Sequence, residues 1–529
     1  MVVSAHPEAT KIGIDVLKNG GNAIDAAVAV EFALAVCYHS AGNIGGGGFM
    51  VYRSADGKYD ALDFRETAPL NAYRDMYLDE EKNVIPRLSL DGGLATGVPG
   101  SVDGIFTKHE KYGSLDMKQL IQYSIDLARN GFTITEKQAN KFNNKRADFD
   151  KVSPNNNYLR QQKEWKQGDI LIQEDFAKTL ERIKENGRAG FYEGKTAEAI
   201  VQSIQYAGGV MSLEDLKQYH SVWRTPITGH FNQFKFISMA PPSSGGIALF
   251  QLLNMLEQKG IDTLKHNSKA YIHLITEAER RVYADRNTHL GDPEFNELPL
   301  DKMKDSLYIL SRMANYNPDY ATRSTLIKAG DFEEESEETT HFSIVDKYGA
   351  AVSITTTLNS SYGSKLFVDG CGFLLNNEMD DFSSKPGIPN QYGLIGTEAN
   401  AIEPNKRMLS SMTPTIVEEN GNLRLVVGSP GGSTIITSVL QNILNVTLFD
   451  MDIQSSVDAP RFHHQWLPDL IYFEENRFDS TLFKSLIDIG HNIKERSSIG
   501  RVDAILVQPD GSLKGGADSR GDDFKLGLE

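Results

Sequence analysis

The feature that most constrains this chain is an abrupt change of composition at residues 331–338. This run, DFEEESEE, holds six acidic side chains and one aromatic ring, a composition typical of a solvated linker. Before it, apolar residues recur with a period of 3.6, for example over 269–285, which predicts helices. After it, apolar and polar residues alternate, for example over 341–346, which predicts strands. We therefore divide the chain into a helix-rich region, 1–338, and a strand-rich region, 339–529.

Charge and hydropathy exclude two classes of function. The 54 basic and 71 acidic residues give a formal net charge of −17, and an acidic surface repels phosphate backbones, so nucleic-acid binding is not predicted. No run reaches the roughly eighteen apolar residues of a membrane span. The most apolar segment, 26–38, is interrupted by Glu31. It predicts a buried helix, and no membrane span is predicted.

Cysteine usage and motif content argue against a metal centre. Cys37 and Cys371 are too few for a disulfide framework or a cysteine-based zinc site. Two free, buried thiols are the favoured interpretation, and a single disulfide is the alternative. Phosphate-loop, HExxH and GxSxG motifs are absent from the sequence. His463 and His464 are adjacent, so on a strand they point to opposite faces and do not predict a shared metal ion.

Several local signals predict individual elements. Asn22 is suited to cap the Ala/Val-rich helix that follows it, and Ser212 with Asp215 three residues later predicts a capping box. Asn420-Gly421 between two apolar segments predicts a β-hairpin. Residues 231–239 are predicted to form a single strand.

The junction at the end of the acidic run is the most informative point for function. Thr339 and Thr340 follow the run directly, and an isolated Thr-Thr pair ordinarily indicates only the start of a strand. The alternative is that Thr339 is a masked N-terminal nucleophile. Cleavage before Thr339 would free an α-amine with a pKa of about 7.7–8.0, which suits a general base near neutral pH. Nucleophile and base would then belong to one residue.

Ten short motifs resemble those of the γ-glutamyltranspeptidase family. In the second region they are 339–343 (TTHFS) with Asp346, 357–359 (TLN), 374–382 (LLNNEMDDF), 410–415 (SSMTPT), 428–432 (GSPGG) and 459–466 (APRFHHQW). In the first region they are 19–27 (NGGNAIDAA), 45–50 (GGGGFM), 63–66 (DFRE) and 241–246 (PPSSGG). The motifs follow the family's order, and the resemblance covers essentially the whole chain.

The resemblance implies a fold and a maturation step. Family members are α+β proteins with the αββα sandwich of N-terminal-nucleophile hydrolases, formed jointly by a large and a small subunit. Both subunits come from one precursor that cuts itself before the nucleophile, which here corresponds to the bond between Glu338 and Thr339. Members also carry a signal peptide, so the resemblance implies a leader upstream of Met1 and a periplasmic or secreted location.

The resemblance also implies catalytic roles. Thr339 corresponds to the nucleophile, and Thr357 corresponds to a threonine that hydrogen-bonds its hydroxyl. The backbone N–H groups of Gly431 and Gly432 correspond to the oxyanion hole, where glycine permits close approach. Tyr392 resembles the gating aromatic residue of a lid loop found in some members, and a packed surface tyrosine is the alternative.

A γ-glutamyl donor carries an α-carboxylate and an α-ammonium group, so its site needs charges of both signs. Arg65 suits the carboxylate because its planar fork binds carboxylates bidentately, and a surface ion pair with Glu66 is the alternative. Ser410 and Ser411 resemble the family's hydroxyl contacts to the same carboxylate. The ammonium group is assigned, by resemblance, to the side chains of Asn359, Glu378 and Asp381. Asp380 is expected to be structural.

The predicted activity is therefore hydrolysis or transfer of γ-glutamyl groups from glutathione and glutamine-like donors to water, amino acids or dipeptides. No metal or organic cofactor is required by this chemistry. Cephalosporin acylases and poly-γ-glutamate depolymerases share the threonine and the scaffold, and they remain the alternative within the superfamily. A non-catalytic, uncut binding protein is the alternative from a different functional class.

Overall fold

The computed structural model describes residues 1–153, 161–327, 339–385, 387–388, 390–391, 394 and 396–528. The α-helices among these residues are α1 (Pro7–Lys18), α2 (Ala23–Cys37), α3 (Ser101–Tyr112), α4 (Met117–Asn130), α5 (Glu136–Val152), α6 (Glu174–Asn186), α7 (Ala189–Tyr192), α8 (Gly194–Tyr206), α9 (Leu213–Gln218), α10 (Gly245–Gln258), α11 (Lys269–His289), α12 (Leu300–Lys304), α13 (Ser306–Arg312), α14 (Thr434–Thr447), α15 (Ile453–Asp458) and α16 (Ser480–Ile487).

The strands of the described residues are β1 (Val2–Ser4), β2 (Gly47–Arg53), β3 (Tyr59–Phe64), β4 (Phe132–Thr133), β5 (Ile170–Leu171), β6 (Val222–Arg224), β7 (Ile227–Phe231), β8 (Phe234–Ser238), β9 (Thr340–Val345), β10 (Ala351–Thr357), β11 (Thr415–Glu419), β12 (Asn422–Gly428), β13 (Phe462–His463), β14 (Ile471–Glu474), β15 (Ile493–Arg496), β16 (Asp503–Val507), β17 (Leu513–Ala517) and β18 (Phe524–Leu526).

Two antiparallel sheets form the centre of the fold. Sheet I has the strand order β18-β1-β9-β10-β2-β3-β6, and sheet II has the order β17-β16-β12-β11-β8-β7. Each sheet combines strands from before residue 328 with strands from after residue 338. The two regions of the sequence therefore do not form separate sheets.

Side-chain alternation along sheet I separates two hydrophobic cores. Val2 and Met50 pack with helices α1 and α2 in one core, whereas Val3, Phe49 and Val51 pack with sheet II in the other. Successive residues of a strand point to opposite faces of the sheet, so both faces of sheet I are covered. The second core also contains residues of α10, α11 and α14, which cover the outer face of sheet II. The order of layers is thus α, β, β, α, as expected for an N-terminal-nucleophile hydrolase.

Most of the local predictions are confirmed. Asn22 caps α2 and accepts backbone N–H bonds as part of a capping box, and Ser212 and Asp215 form a second capping box on α9. The predicted hairpin is formed by β11 and β12 around Asn420-Gly421. Cys37 and Cys371 are both free and buried.

The strand predicted over 231–239 is confirmed at Phe234–Ser238 and is wrong at its start. Residues Ile227–Phe231 and Phe234–Ser238 form two antiparallel strands, β7 and β8, with a turn between them. Asn232 has a φ of 51°, the left-handed conformation that asparagine tolerates better than most residues. The apolar alternation concealed this turn because the loop has only two residues.

No helix in the described parts of the chain is both long enough and apolar enough to cross a membrane.

Candidate active site

The candidate nucleophile lies where the two central sheets meet. Thr340 pairs with Thr356 across β9 and β10, which places Thr339 and Thr357 side by side at the same end of the two strands. Their Oγ1 atoms are 3.4 Å apart. His341, two residues after Thr339 on β9, lies against Gly428 of sheet II. By the alternation of the strands, both threonines therefore lie on the face that meets sheet II.

Thr357 also organises the turn that follows it. Its Oγ1 accepts a hydrogen bond of 2.7 Å from the backbone N–H of Asn359. Asn359 has a φ of 73°, and its side-chain amide donates to the carbonyl oxygen of Asn377 at 3.0 Å. This bond joins the end of β10 to the segment that carries Glu378. The nucleophile and the predicted ammonium-binding residues are therefore parts of one hydrogen-bonded unit.

Gly431 and Gly432 form the turn between β12 and α14. Their φ values are 133° and 53°, in the region that favours glycine. A Cβ atom on Gly431 would lie 2.4 Å from Thr434 Oγ1, so the turn has no room for a side chain there. Within the described part of the chain, neither glycine N–H donates a backbone hydrogen bond. Such a turn ahead of a helix can supply N–H donors to an oxyanion.

These elements surround a surface-connected cavity with about 530 Å³ of empty space. The predicted site residues that line it are Thr339, Thr357, Asn359, Glu378, Asp381, Ser410, Ser411 and Gly432. Apolar side chains, including Phe382, Leu409 and Ile435, complete the wall. The cavity therefore joins a threonine hydroxyl, a glycine turn and charged groups.

Arg65 lies directly behind two of the lining carboxylates. Its Nη1 is 2.5 Å from Glu378 Oε2, its Nη2 donates to Asp381 Oδ2 at 2.5 Å, and Glu66 Oε2 is 3.5 Å from Nη1. Arg65 is 1% exposed. The alternative, an ion pair with Glu66 at the surface, is therefore wrong: the two side chains are close, but both are buried. The guanidinium group does not itself line the cavity.

Three carboxylates around one arginine shift one another's pKa values. Burial raises the pKa of Glu66 to about 8 and raises that of Glu378 well above its ordinary value, although Arg65 opposes both shifts. Burial also raises the pKa of Asp381, again against Arg65. Burial would lower the pKa of Arg65, but the three carboxylates together raise it. Burial thus disfavours the charged form of all three carboxylates, and a positive charge beside them, such as that of Arg65, favours it.

The two serines face the cavity from a loop held against the start of α10. Ser244 N donates to the Ser410 carbonyl oxygen at 2.8 Å, and Ser410 N donates to the Pro242 carbonyl oxygen at 2.9 Å. Ser410 Oγ accepts from Met412 N at 3.2 Å. The predicted motif 241–246 thus acts as a support for the serine pair.

The structure adds Arg286, which sequence reasoning missed. Arg286 belongs to α11, lines the same cavity and donates from Nη2 to Ser411 Oγ at 3.0 Å. The helix predicted over 269–285 ends one residue before Arg286, whereas α11 continues to His289. No local signal marks the contact, because Ser411 lies 125 residues away along the chain.

Two predicted residues that the structure describes, Arg65 and Gly431, are not among those that line the cavity. Tyr392 is outside the described residues, as are Glu338 and the rest of the acidic run 331–338. Asp380 is buried, accepts from Ser89 Oγ at 2.6 Å and from Gln391 N at 3.1 Å, and burial raises its pKa to about 7.

Among the described residues, no group of three or more His, Cys, Asp or Glu side chains is arranged to hold a metal ion.

Comparison with known proteins gives the family of this chain. A sequence profile of the family described as Gamma-glutamyltranspeptidase matches residues 9–528. The chain belongs to this family. The glutathione hydrolase proenzyme of Escherichia coli strain K12 is 44% identical over 534 residues, which cover all of this chain and 91% of that protein. A crystal structure of Helicobacter pylori gamma-glutamyltranspeptidase is 45% identical with a TM-score of 0.59 over 61% of this chain and 94% of that chain.

The fold is shared more widely than the family. A crystal structure of cephalosporin acylase from Bacillus halodurans has a TM-score of 0.87 and covers all of this chain and 95% of that chain, with 23% identity. At this identity the likeness concerns the fold alone. The γ-glutamyltranspeptidase family assignment and the fold together identify the chain as an enzyme of the N-terminal-nucleophile hydrolase class.

Proposed function

We propose that this enzyme cuts itself before Thr339 and then hydrolyses or transfers γ-glutamyl groups through an ester on Thr339 Oγ1. Glutathione and other γ-glutamyl amides are the proposed donors, and water, amino acids or dipeptides are the proposed acceptors. The single observation that carries the proposal is the shared cavity. It brings the Thr339 hydroxyl, 3.4 Å from Thr357 Oγ1, next to groups of both charges.

The proposed reaction proceeds in two steps. Thr339 Oγ1 attacks the γ-carbonyl carbon while the free α-amine of Thr339 takes the hydroxyl proton. The negative charge on the carbonyl oxygen is stabilised by N–H groups of the turn at Gly431 and Gly432. The amide bond then breaks, the leaving amine takes the proton, and a γ-glutamyl ester remains. Water or an amine acceptor attacks the ester and regenerates the threonine. These steps use groups of this chain and the acceptor.

The head group of the donor fits the charges of the cavity. Glu378 and Asp381 line the wall and together with Asn359 can accept hydrogen bonds from an α-ammonium group. Ser410 and Ser411 can donate to an α-carboxylate. Arg65 remains the predicted carboxylate clamp; its Nη1 and Nη2 pair with Glu378 and Asp381 behind the cavity wall, so this role requires the donor to displace one of these pairs.

The same charges separate this proposal from an acylase or a poly-γ-glutamate depolymerase. A donor without a free α-ammonium group would form no ion pair with Glu378 and Asp381 on the cavity wall, whereas a γ-glutamyl donor would. The likeness to cephalosporin acylase concerns the fold, and it does not favour that substrate. The relative named a glutathione hydrolase proenzyme supports both the donor class and self-cleavage.

The first experiment is an intact mass spectrum of the denatured protein. Cleavage before Thr339 leaves 338 and 191 of the 529 residues, about 37 and 21 kDa when the chain mass is scaled by length. The cut protein is then assayed with γ-glutamyl-p-nitroanilide, with and without glycylglycine as acceptor. Release of p-nitroaniline that the acceptor accelerates supports γ-glutamyl transfer.

Two results would contradict the proposal. A single full-length species without activity would favour the uncut binding protein. A cut protein that hydrolyses a glutaryl anilide as fast as the γ-glutamyl anilide would favour an acylase, because glutaryl donors lack the ammonium group.

We also propose that the 338-residue and 191-residue pieces remain together as large and small subunits and that the enzyme is periplasmic or secreted. The location rests on the family resemblance. Cell fractionation with activity in the cytoplasmic fraction alone would contradict it.

A further inference from the structure

We propose that Arg286 is a positioning and specificity residue for the donor carboxylate, and that it acts through Ser411. The inference rests on the proposed function, because it concerns the head group of the same donor. It assigns a role to a residue of α11 that is remote in sequence from every motif of the site.

Arg286 is anchored on three sides. Its Nε donates to Ser244 Oγ at 3.1 Å, its Nη1 to Asn287 Oδ1 at 2.9 Å, and its Nη2 to Ser411 Oγ at 3.0 Å. The residue is only 4% exposed, and what remains accessible lies on the wall of the cavity that contains Thr339. The guanidinium group is therefore fixed in orientation before any ligand enters.

Arg286 differs from the other deeply buried arginines in its lack of a counter-ion. Each of the others pairs with a carboxylate: Arg65, Arg280, Arg281 and Arg461 within 2.8 Å, and Arg407 with Asp63 at 3.5 Å. No carboxylate among the described residues lies within 4.0 Å of Arg286, although Asp381 on the same cavity wall attracts it at longer range. Burial lowers the pKa of Arg286 to about 10, so the group is still charged at neutral pH. A buried cation with hydrogen-bond acceptors but no direct ion pair is costly, and an anionic ligand group in the cavity would relieve that cost.

The contact with Arg286 also determines how the Ser411 hydroxyl group is oriented. A guanidinium group has only donors, so Ser411 Oγ must accept from Arg286. Its own O–H proton is then directed elsewhere, and no described residue accepts it. Ser410 Oγ likewise accepts from Met412 N at 3.2 Å. Both serines thus present O–H donors to the cavity, which matches the two oxygens of a carboxylate.

This orientation of the two hydroxyl groups predicts that the site distinguishes a carboxylate from a carboxamide. A carboxylate accepts from two hydroxyl donors and is attracted by the charge of Arg286. A carboxamide in the same place carries no charge, and its NH2 group would face a donor. We therefore infer that Arg286 favours γ-linked donors with a free α-carboxylate over the same donors with an α-carboxamide.

The test compares two donors, γ-glutamyl-p-nitroanilide and its α-carboxamide analogue, by the ratio of their kcat/KM values. The variants are Arg286→Gln, Arg286→Lys, Ser411→Ala and the double variant Arg286→Gln/Ser411→Ala. Arg281→Gln is the matched control, because Arg281 is equally buried on the same helix and pairs with Glu277 outside the cavity. Each protein is first checked for cleavage into two pieces by mass spectrometry.

We expect Arg286→Gln to lower the preference for the carboxylate donor at least tenfold, mainly through KM, with kcat changed less than threefold. Arg286→Lys should retain part of the preference because it keeps the charge, and this variant carries the test if the glutamine variant does not mature. The double variant should resemble the more impaired single variant, because both changes interrupt one contact. Arg281→Gln should keep the preference of the unchanged enzyme.

The inference is overturned if Arg286→Gln and Arg286→Lys reduce kcat/KM equally for both donors, as a purely structural arginine would. It is also overturned if the effects of Arg286→Gln and Ser411→Ala multiply independently. An unchanged enzyme that does not act on γ-glutamyl-p-nitroanilide at all would instead contradict the proposed function.

Discussion

Replacement of Thr357 by valine tests the contact that the structure gives the candidate nucleophile. Thr357 Oγ1 is 3.4 Å from Thr339 Oγ1 and accepts the N–H of Asn359 at 2.7 Å. Valine has nearly the same shape and is also β-branched, so it suits a strand. The backbone pairing of Thr357 with Gly47 in sheet I is unaffected. The change therefore removes one hydroxyl group and little else.

The size of the expected effect follows from the contacts of Thr357 Oγ1 with Asn359 N and Thr339 Oγ1. Loss of the acceptor for the buried N–H of Asn359 costs about 1–3 kcal/mol of the free energy of unfolding. If the hydroxyl supports Thr339 during attack, a similar loss in the transition state lowers the acylation rate roughly 5- to 150-fold. The effect on Asn359, which lines the donor site, appears separately as an increase in KM.

The assay is the rapid release of p-nitroaniline from γ-glutamyl-p-nitroanilide, followed by stopped flow so that acylation is separated from deacylation. Thr357→Ser is the matched control, because it keeps the hydroxyl, and we expect its acylation rate within about threefold of the unchanged enzyme. Equal acylation rates for the valine and serine variants would refute the argument that the Oγ1–Oγ1 contact assists the nucleophile.

Three further predictions concern other parts of the protein. Thr339→Ala should block both cleavage and turnover, since it removes the only hydroxyl proposed for either step; a normally cut, active variant on mass spectrometry and anilide assay would disprove the assignment. Arg65→Lys should raise KM for γ-glutamyl donors at least tenfold, because a single ammonium group cannot bridge Glu378 and Asp381; an unchanged KM would argue against the predicted role. Burial lowers the pKa of both His341 and His463 to about 3. The free energy of unfolding should therefore be greatest above pH 6.5 and decrease as the pH falls from 6.5 towards 3, because the unfolded chain takes up protons that the folded chain does not. Thermal melts with a constant Tm between pH 7 and 4.5 would contradict this.

Local sequence signals predicted the elements that local interactions determine. The capping box at Ser212 depends on residues three apart, and the Asn420-Gly421 hairpin depends on two residues that tolerate a positive φ. Thr339 was singled out as the candidate nucleophile because a change of composition and a strand start coincide at one position. Each of these features can be read in a window of ten residues or fewer.

The parts that the sequence did not reveal depend on contacts between distant segments. Helix α11 buries charged side chains on all sides, including Glu279 and Arg286, although its spacing resembles that of an amphipathic helix. The counter-ion or hydroxyl that each charge meets is supplied by another element, such as Ser411 for Arg286. The position of Arg65 behind Glu378, and not on the cavity wall, likewise depends on how two loops pack against each other.

The way the two regions interleave explains how a cut before Thr339 could leave the site assembled. Strand β9, which follows Thr339, pairs with β1 from the first region on one side and with β10 on the other. Strand β10 in turn pairs along its whole length with β2, from Gly47 to Arg53. Cleavage ahead of β9 breaks none of these hydrogen bonds. Separation of the two pieces would expose both cores and break the ladders on either side of the β9–β10 pair, so the new N-terminus at Thr339 would remain fixed beside Thr357. The same argument accounts for a site whose cations, Arg65 and Arg286, come from the first region while its hydroxyl groups come from the second.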